Sequence, residues 1–303
     1  MVMLNNNLRI FLVAAEKKSF TLTANELYIS QPAVSRAIRA LEEELATKLF
    51  YRDKRNGLIL TDAGEKILLL ARQMADLENR MYQIAFRDKN FQGGKDRIAS
   101  IPILTSVILS KVIFRFRQEY PLVAVELIEG SSREIRKAVQ EHRADFGFAS
   151  SPFEDMDHMV LFTDQMVFVS RNQWDSQMPI SLDQNTNQYV LCQAGYETVL
   201  GELKDRRIRF DQCLTVQQTE SVINLVKEGN GIGIMSEVVY RSIPNDLLSH
   251  PVSPRVETNV GIIANDLNDL SPVSMILISM IKDACADYAC KRKENRSYIE
   301  VES

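Results

Sequence analysis

Residues 19–60, SFTLTANELYISQPAVSRAIRALEEELATKLFYRDKRNGLIL, constrain the fold of this chain more than any other stretch. In the second half of the run, Ala33, Val34, Ala37, Ile38 and Leu41 fall at i, i+1, i+4, i+5 and i+8, the inward stripe of an amphipathic helix. Gln31, Pro32, Ser35, Arg36 and Arg39 are left on the other side. Ser30 is a suitable N-cap, and Pro32 is tolerated in the first turn because its missing N–H would have no intrahelical partner there. The helix is therefore predicted to start near Gln31. A shorter helix is expected before it over residues 23–28, with Ala24 and Leu27 inward and Phe20 closing the packing. The small turn at Ile29 and Ser30 suits helix-turn-helix geometry.

The outward face of the second helix carries hydroxyl, amide and guanidinium groups, the types that donate to base edges in the major groove and to phosphate oxygens. Ser30, Gln31, Pro32, Ser35, Arg36 and Arg39 are thus the candidate DNA-reading residues. Behind the helix, Asn56-Gly57 stands between strand-like runs, a strong hairpin signal because both turn residues must take positive φ. Such a hairpin places Arg52, Lys54 and Arg55 near its tip, where they can meet phosphates.

The ordered set SF, A-x-x-L, SQPAVSRAI, LEEEL, LF-x-R and LT-x-AGE (Leu60, Thr61, Ala63, Gly64, Glu65) resembles the N-terminal winged helix-turn-helix of the LysR-type transcriptional regulators. The resemblance runs continuously through roughly the first 65 residues. One departure is Ala46-Thr47 after LEEEL, where the family usually has Gly. The resemblance implies a double-stranded DNA operator as partner and no cofactor.

The net charge of −4 argues against nucleic-acid binding only if it is evenly spread. Residues 1–95 carry 15 Lys and Arg against 11 Asp and Glu, and the remainder carries 21 against 29. A basic front and an acidic back are expected if only the front approaches phosphate. The 303 residues suffice for about two domains. The N-terminal stretch lacks the basic n-region of a signal peptide, and no apolar run is long enough to span a bilayer, so a cytoplasmic location without membrane contact is expected. Cys192, Cys213, Cys285 and Cys290 include no C-x-x-C, and with His142, His158 and His250 scattered no metal site is expected.

Leu8, Phe11, Leu12 and Ala15 predict a first supporting helix. After the wing, Thr61 can cap a long helix in which Ile67, Leu70, Met74, Leu77, Met81 and Ile84 recur at spacings of three and four, a heptad seam. So narrow a stripe predicts a homodimer presenting two reading helices. By resemblance this is the family's linker helix, and the family also accommodates homotetramers. Gly93-Gly94 reads as a hinge.

From Arg97 onward strands and helices alternate, which implies a mainly parallel sheet covered by helices. Strands are expected at residues 97–102, 123–128, 146–149, 166–169, 189–192, 213–216, 231–235 and 260–263. Helices are expected at 107–119, 133–142, 199–206, 220–228 and 271–291. By resemblance this half, with FRQEYP, ADFGFA and VKEGNGIGIM as its best fragments, is similar to the family's effector domain. That domain is itself similar to periplasmic solute-binding proteins, with two subdomains and a ligand cleft between them. The fold expected is a winged helix-turn-helix over residues 1–61, a dimerising linker helix over 62–92, an α/β effector-binding domain of two subdomains over 93–295, and a polar tail over 296–303.

Ligands in open α/β sheets sit beyond the carboxyl ends of strands, beside helix N-termini. The loops predicted there nominate Ser100, Pro102, Ile103, Thr105, Ser106, Gly130, Ser131, Ser150, Gln193, Thr198 and Asn265 as effector-binding residues. Hydroxyls and backbone N–H groups suit a small carboxylate or similar anion, although the same hydroxyls also serve as helix caps. Family members often have Thr near Ile103, so the usual contact is either lost or moved to Thr105 or Ser106.

The function expected is a ligand-responsive transcriptional regulator. A redox-sensing regulator using Cys192, with Cys213 as partner, is an alternative suggested by the family's peroxide sensors. A cytoplasmic small-molecule binding protein is the alternative of another class. An enzyme is disfavoured: Gly229, Gly231 and Gly233 give only a weak nucleotide fingerprint, and no phosphate loop or nucleophile elbow occurs.

Overall fold

The computed structural model describes residues 5–53, 57–86, 94–171, 180–181, 188–192, 213–253 and 255–299; for Arg52, Ile180, Ser181 and residues 287–299 it describes the backbone alone. The front of the chain is α1 (Asn6–Lys17), α2 (Phe20–Glu26), α3 (Gln31–Glu44), β1 (Phe50–Asp53) and β2 (Gly57–Leu60). Helix α2 starts three residues earlier than expected because Ser19 caps it, its hydroxyl accepting the Leu22 N–H. Phe20 is therefore the first residue of the helix. Its ring meets Phe50 edge-on, and Phe50 in turn packs on Phe11. Leu8, Phe11, Val34, Ile38, Leu41, Leu49 and Leu58 fill the core of this domain.

The hairpin pairs Phe50 with Leu60 and closes at Asp53 opposite Gly57. Three residues, not two, lie between the paired ends, and Gly57 belongs to the strand with φ +76°. Helix α4 (Asp62–Ala85) follows directly, Thr61 accepting the Gly64 N–H and donating its own hydroxyl to the Lys48 carbonyl.

The back half opens with β3 (Lys95–Ser100). One continuous helix, α5, follows, built from Pro102–Leu104, a π-helical stretch Thr105–Leu109 and Ser110–Glu119. Next come β4 (Ala124–Glu129), α6 (Ser132–Gln140), β5 (Phe146–Ser150) and β6 (Asp157–Ser170). Beyond these lie β7 (Ile180–Ser181), β8 (Tyr189–Cys192), β9 (Leu214–Val216), α7 (Thr219–Lys227) and β10 (Ile232–Ser236). Helix α8 (Glu237–Ser242), β11 (Leu248–Ser253), β12 (Glu257–Ala264) and α9 (Pro272–Ile299) complete the chain. The expected helix at residues 199–206 lies outside the described residues. Helix α9 runs on through residues 296–299, the start of the expected polar tail.

The sheet is mixed where a mainly parallel one was expected. Strands β4, β3 and β5 are parallel to one another, as are β9, β8 and β10. The strand order is β4-β3-β5-β12-β6-β10-β8-β9, and the two central strands carry the chain across: β6 takes it from the first subdomain to the second and β12 brings it back. They therefore run antiparallel to each other, with Glu257 opposite Gln165 and Ala264 opposite Asp157. β12 is also antiparallel to β5, and β6 to β10. A single 14-residue strand thus serves both subdomains, pairing with β12 along its first part and with β10 and β11 along its last. One core lies between the first subdomain's sheet and α5, α6 and α9, and two smaller ones cover the faces of the second subdomain's sheet.

Candidate functional site: a helix-turn-helix face and an inter-subdomain cavity

Helix α3 buries Val34, Ile38, Leu41 and Glu42 and turns its other side outward. Ser30 is the N-cap, its Oγ accepting the Ala33 N–H at 3.3 Å. Ser30, Pro32, Arg36 and Arg39 are exposed, and Gln31 and Ser35 are half-buried at the edge of the face. Arg52 belongs to β1, in register with Leu58. Lys54 and Arg55 lie outside the described residues.

The hairpin is tied to α3 by a group that the apolar periodicity did not disclose. Glu42 is buried at the end of α3 and accepts the Leu49 N–H at 3.0 Å, the Phe50 N–H at 3.4 Å and the Lys48 ammonium at 2.5 Å. Burial opposes its ionisation, but these donors, Lys48 foremost, hold its carboxyl below the usual carboxylate range. Gly64 completes the joint, since a Cβ there would lie 2.3 Å from the Leu49 carbonyl oxygen. That contact is the physical content of the LT-x-AGE motif.

Along α4, Leu70, Met74, Leu77, Met81 and Ile84 are between 50% and 61% exposed, so the seam is not covered by the chain's own effector domain. The opposite side of the helix is pinned to that domain by polar contacts. Arg97 on β3 pairs with Asp76 of α4 and with Asp145 at 2.6 Å, and donates to the His142 carbonyl at 2.9 Å. His142 Nδ1 lies 3.0 Å from Asp76, and Arg80 pairs with Asp269 at 2.7 Å. Gln83 is fully buried, accepting the Val273 N–H and donating to the Lys95 carbonyl. Of the expected Gly93-Gly94 hinge, Gly94 takes φ +105° and Gly93 lies outside the described residues.

Between the subdomains, where β6 and β12 cross, lies a cavity of about 530 Å³, a size suited to a small molecule. The first subdomain contributes Ile101 to Leu104, Ser106, Glu129 and Ser150; the crossing strands contribute Asp164, Met166, Thr258 and Val260. From the second come Cys192, Gln217 to Glu220, Ile234 to Ser236, Val238 and Val239. Pro102, Ile103, Ser106 and Ser150 of the expected effector residues line it.

The other expected residues are placed elsewhere. Ser100 is buried with its hydroxyl on the Ile101 carbonyl. The Thr105 and Ser106 hydroxyls bond back to the Ile101 and Pro102 carbonyls, one turn earlier, rather than capping the helix. Gly130 precedes, and Ser131 forms, a capping box with Glu134, and neither lines the cavity. Asn265 is at the opposite end of the parallel strands, donating to the Val139 carbonyl at 2.8 Å. Because β12 runs antiparallel to β5, its carboxyl end meets the amino ends of the parallel strands. Gln193 and Thr198 lie outside the described residues.

Asp164, Thr258 and the Gln217–Glu220 turn were missed. The first two sit inside strands, where local patterning marks only the sheet. The turn precedes a helix that was expected, and it carried the positional signal that could have flagged it. Asp164 accepts the Val238 N–H at 3.4 Å and thereby occupies the start of α8.

Cys192 is buried at the cavity wall, donating to the Gln217 carbonyl at 3.4 Å. It pairs in register with Val216, so Cys213 is three strand positions away, about 10 Å. Cys213 also packs in the cluster on the other face of the sheet. The pair cannot bridge without refolding β9. Cys285 is buried and its thiol is pushed up to about 12 by that burial, so it stays protonated. Gly231 serves packing rather than nucleotide binding: a Cβ there would lie 2.1 Å from the Gln188 carbonyl oxygen.

These features have known counterparts. Residues 5–65 match the bacterial regulatory helix-turn-helix protein family of lysR type, and residues 90–286 match the LysR substrate binding domain. The uncharacterized HTH-type transcriptional regulator YoaU of Bacillus subtilis (strain 168) is 39% identical over 286 residues, 93% of this chain and 99% of that one. A full-length, singly substituted OxyR from Pseudomonas aeruginosa has the same fold, with a TM-score of 0.69 at 20% identity, covering 92% of this chain and 96% of that one. CbnR solved in complex with its target DNA is similar at a TM-score of 0.60 and 18% identity, covering 92% and 98%. The chain belongs to the LysR family of DNA-binding transcriptional regulators.

Proposed function

We propose that this regulator acts in the cytoplasm as a homodimer joined along α4, placing one α3 from each subunit in the major groove of an operator half-site. Gln31, Ser35, Arg36 and Arg39 read base edges, Ser30 and Pro32 set the approach of the helix, and Arg52, Lys54 and Arg55 hold the phosphates beside it. A small molecule bound between the subdomains favours one arrangement of the effector domains and so alters operator contacts, which requires that it bind one state better than the other. Pro102, Ile103, Ser106 and Ser150 are the effector contacts retained from the sequence, joined by Thr258 and the Gln217–Glu220 turn. No helix among the described residues is long and apolar enough to cross a membrane.

The observation carrying the proposal is the split surface of α3, with Val34, Ile38 and Leu41 buried and Arg36 and Arg39 exposed. Footprinting of the purified protein on the DNA upstream of its own gene tests it. Two protected half-sites about one helical turn apart are expected; no protection at any concentration that supports the dimer overturns it.

A further inference from the structure

The cavity between the subdomains has an apolar body and an acidic rim. Ile101, Leu104, Met166, Ile234, Val238 and Val260 supply apolar surface. Three carboxylates, Glu129, Asp164 and Glu220, line it from the first subdomain, the crossing strand and the second subdomain, and no Lys, Arg or His lines it among the described residues. Glu129 and Glu220 are exposed, and neither makes an ion pair among the described residues.

Helix starts pull the other way. The first turns of α5, at Pro102, and α7, at Thr219, reach the cavity without a side-chain cap. Pro102 has no N–H and Ser221 donates to the Gln218 carbonyl, so the N–H groups of Ile103, Leu104, Thr219 and Glu220 remain as donors among the described residues, and each start is equivalent to roughly half a positive charge. Two such starts come to about one charge, and Glu220 in the first turn of α7 offsets its share. The start of α8 is already taken by Asp164 and by Ser236, which accepts the Val239 N–H. Among the described residues the balance is negative, so a molecule whose only charge is a carboxylate meets repulsion on leaving water.

Resting on the effector reading given above, we infer that the cavity takes an apolar small molecule bearing an ammonium group, held between Glu129 and Glu220, with any acceptor it carries seated on the free N–H groups of α5 and α7. Apolar amines and apolar amino acids are its ligand class, and a simple carboxylate is not.

Thermal shift of the full-length protein tests this with matched skeletons: L-leucine, isoamylamine and isocaproate, and L-phenylalanine, phenethylamine and hydrocinnamate. At least one ammonium-bearing compound is expected to raise Tm, and neither carboxylate-only compound is. Its affinity is expected to fall about tenfold in Glu129→Gln and further in Glu129→Gln/Glu220→Gln, both of which should melt like the wild type without ligand. A carboxylate-only compound that stabilises while the amines do not overturns the inference and leaves the effector reading intact. Unchanged affinity in the double variant overturns it as well, and so does a shift from neither set. The effector reading is judged apart, by whether Ser106→Trp, which fills the cavity, changes the footprint of the ligand-free protein.

Discussion

Ala46 holds φ +49° directly after the α3 C-cap, its N–H reaching back to the Glu43 carbonyl and the Thr47 N–H to that of Glu42. This is the left-handed stop that glycine makes most easily, and a Cβ there is strained by about 1–2 kcal/mol. Ala46→Gly should therefore stabilise the winged domain by about 0.5–1 kcal/mol after glycine's greater unfolded-state freedom is discounted; a lowered Tm would contradict this. Asp96 is a different kind of residue. It is fully buried under α9, accepts from Ser271 and Ser274, and has one oxygen without a partner among the described residues. Burial first, and then the charge of Asp145, push its carboxyl up to about 8 against hydrogen bonds from the two serines and the charge of Arg97. The folded protein holds this proton more tightly than the unfolded chain, whose value is near 3.8. The group's contribution is therefore complete in acid and is lost as pH rises towards 8. Melting across that range should show a steeper alkaline loss in the wild type than in Asp96→Asn; parallel profiles would mean that Asp96 is ionised throughout.

At the scale of elements, the reading helix and the wing behave as one body because Glu42, Leu49 and Gly64 interlock. Gly64→Ala forces a Cβ to within 2.3 Å of the Leu49 carbonyl unless α4 shifts. A loss of about 1–3 kcal/mol is expected, readable in urea melts of the full chain. Arg36→Ala touches none of this packing, since the residue is exposed on α3. It should lower affinity for the specific operator by about tenfold or more while leaving the oligomer and its melting unchanged. Operator affinity equal to the wild type would remove Arg36 from the reading face.

At the scale of the molecule, α4 has two employments. One side is fastened to the effector domain through Asp76, Arg80 and Gln83, and the other presents Leu70, Met74, Leu77, Met81 and Ile84 to solvent in a single chain. In the proposed dimer, a rigid link on one side and an open apolar seam on the other would let a rearrangement of the subdomains reach the spacing of the two α3 helices. Leu77→Glu in the middle of the seam should give monomers in sedimentation velocity and weaken operator binding through lost pairing of half-sites. A dimer of unchanged affinity would place the subunit contact elsewhere.

What could be read before folding was whatever repeats along the chain. The 3.6-residue stripe of α3, the heptads of α4, the caps at Ser30 and Thr61 and most strands of the back half are local patterns, because each is imposed by one element's own geometry on one buried face. Strand direction is not local: the same run of apolar residues serves a parallel or an antiparallel neighbour. The reversal of β12 therefore moved Asn265 to the far end of the strands, and Asp164 and Thr258, both within strands, arrived in the cavity unannounced. Which hydroxyls bind and which merely bond back to their own helix, as Thr105 does, depends on neighbours drawn from distant parts of the chain. Periodicity was thus enough for the elements and for the outward polar face of α3, whereas the charge and lining of the cavity exist only once two subdomains and two crossing strands meet.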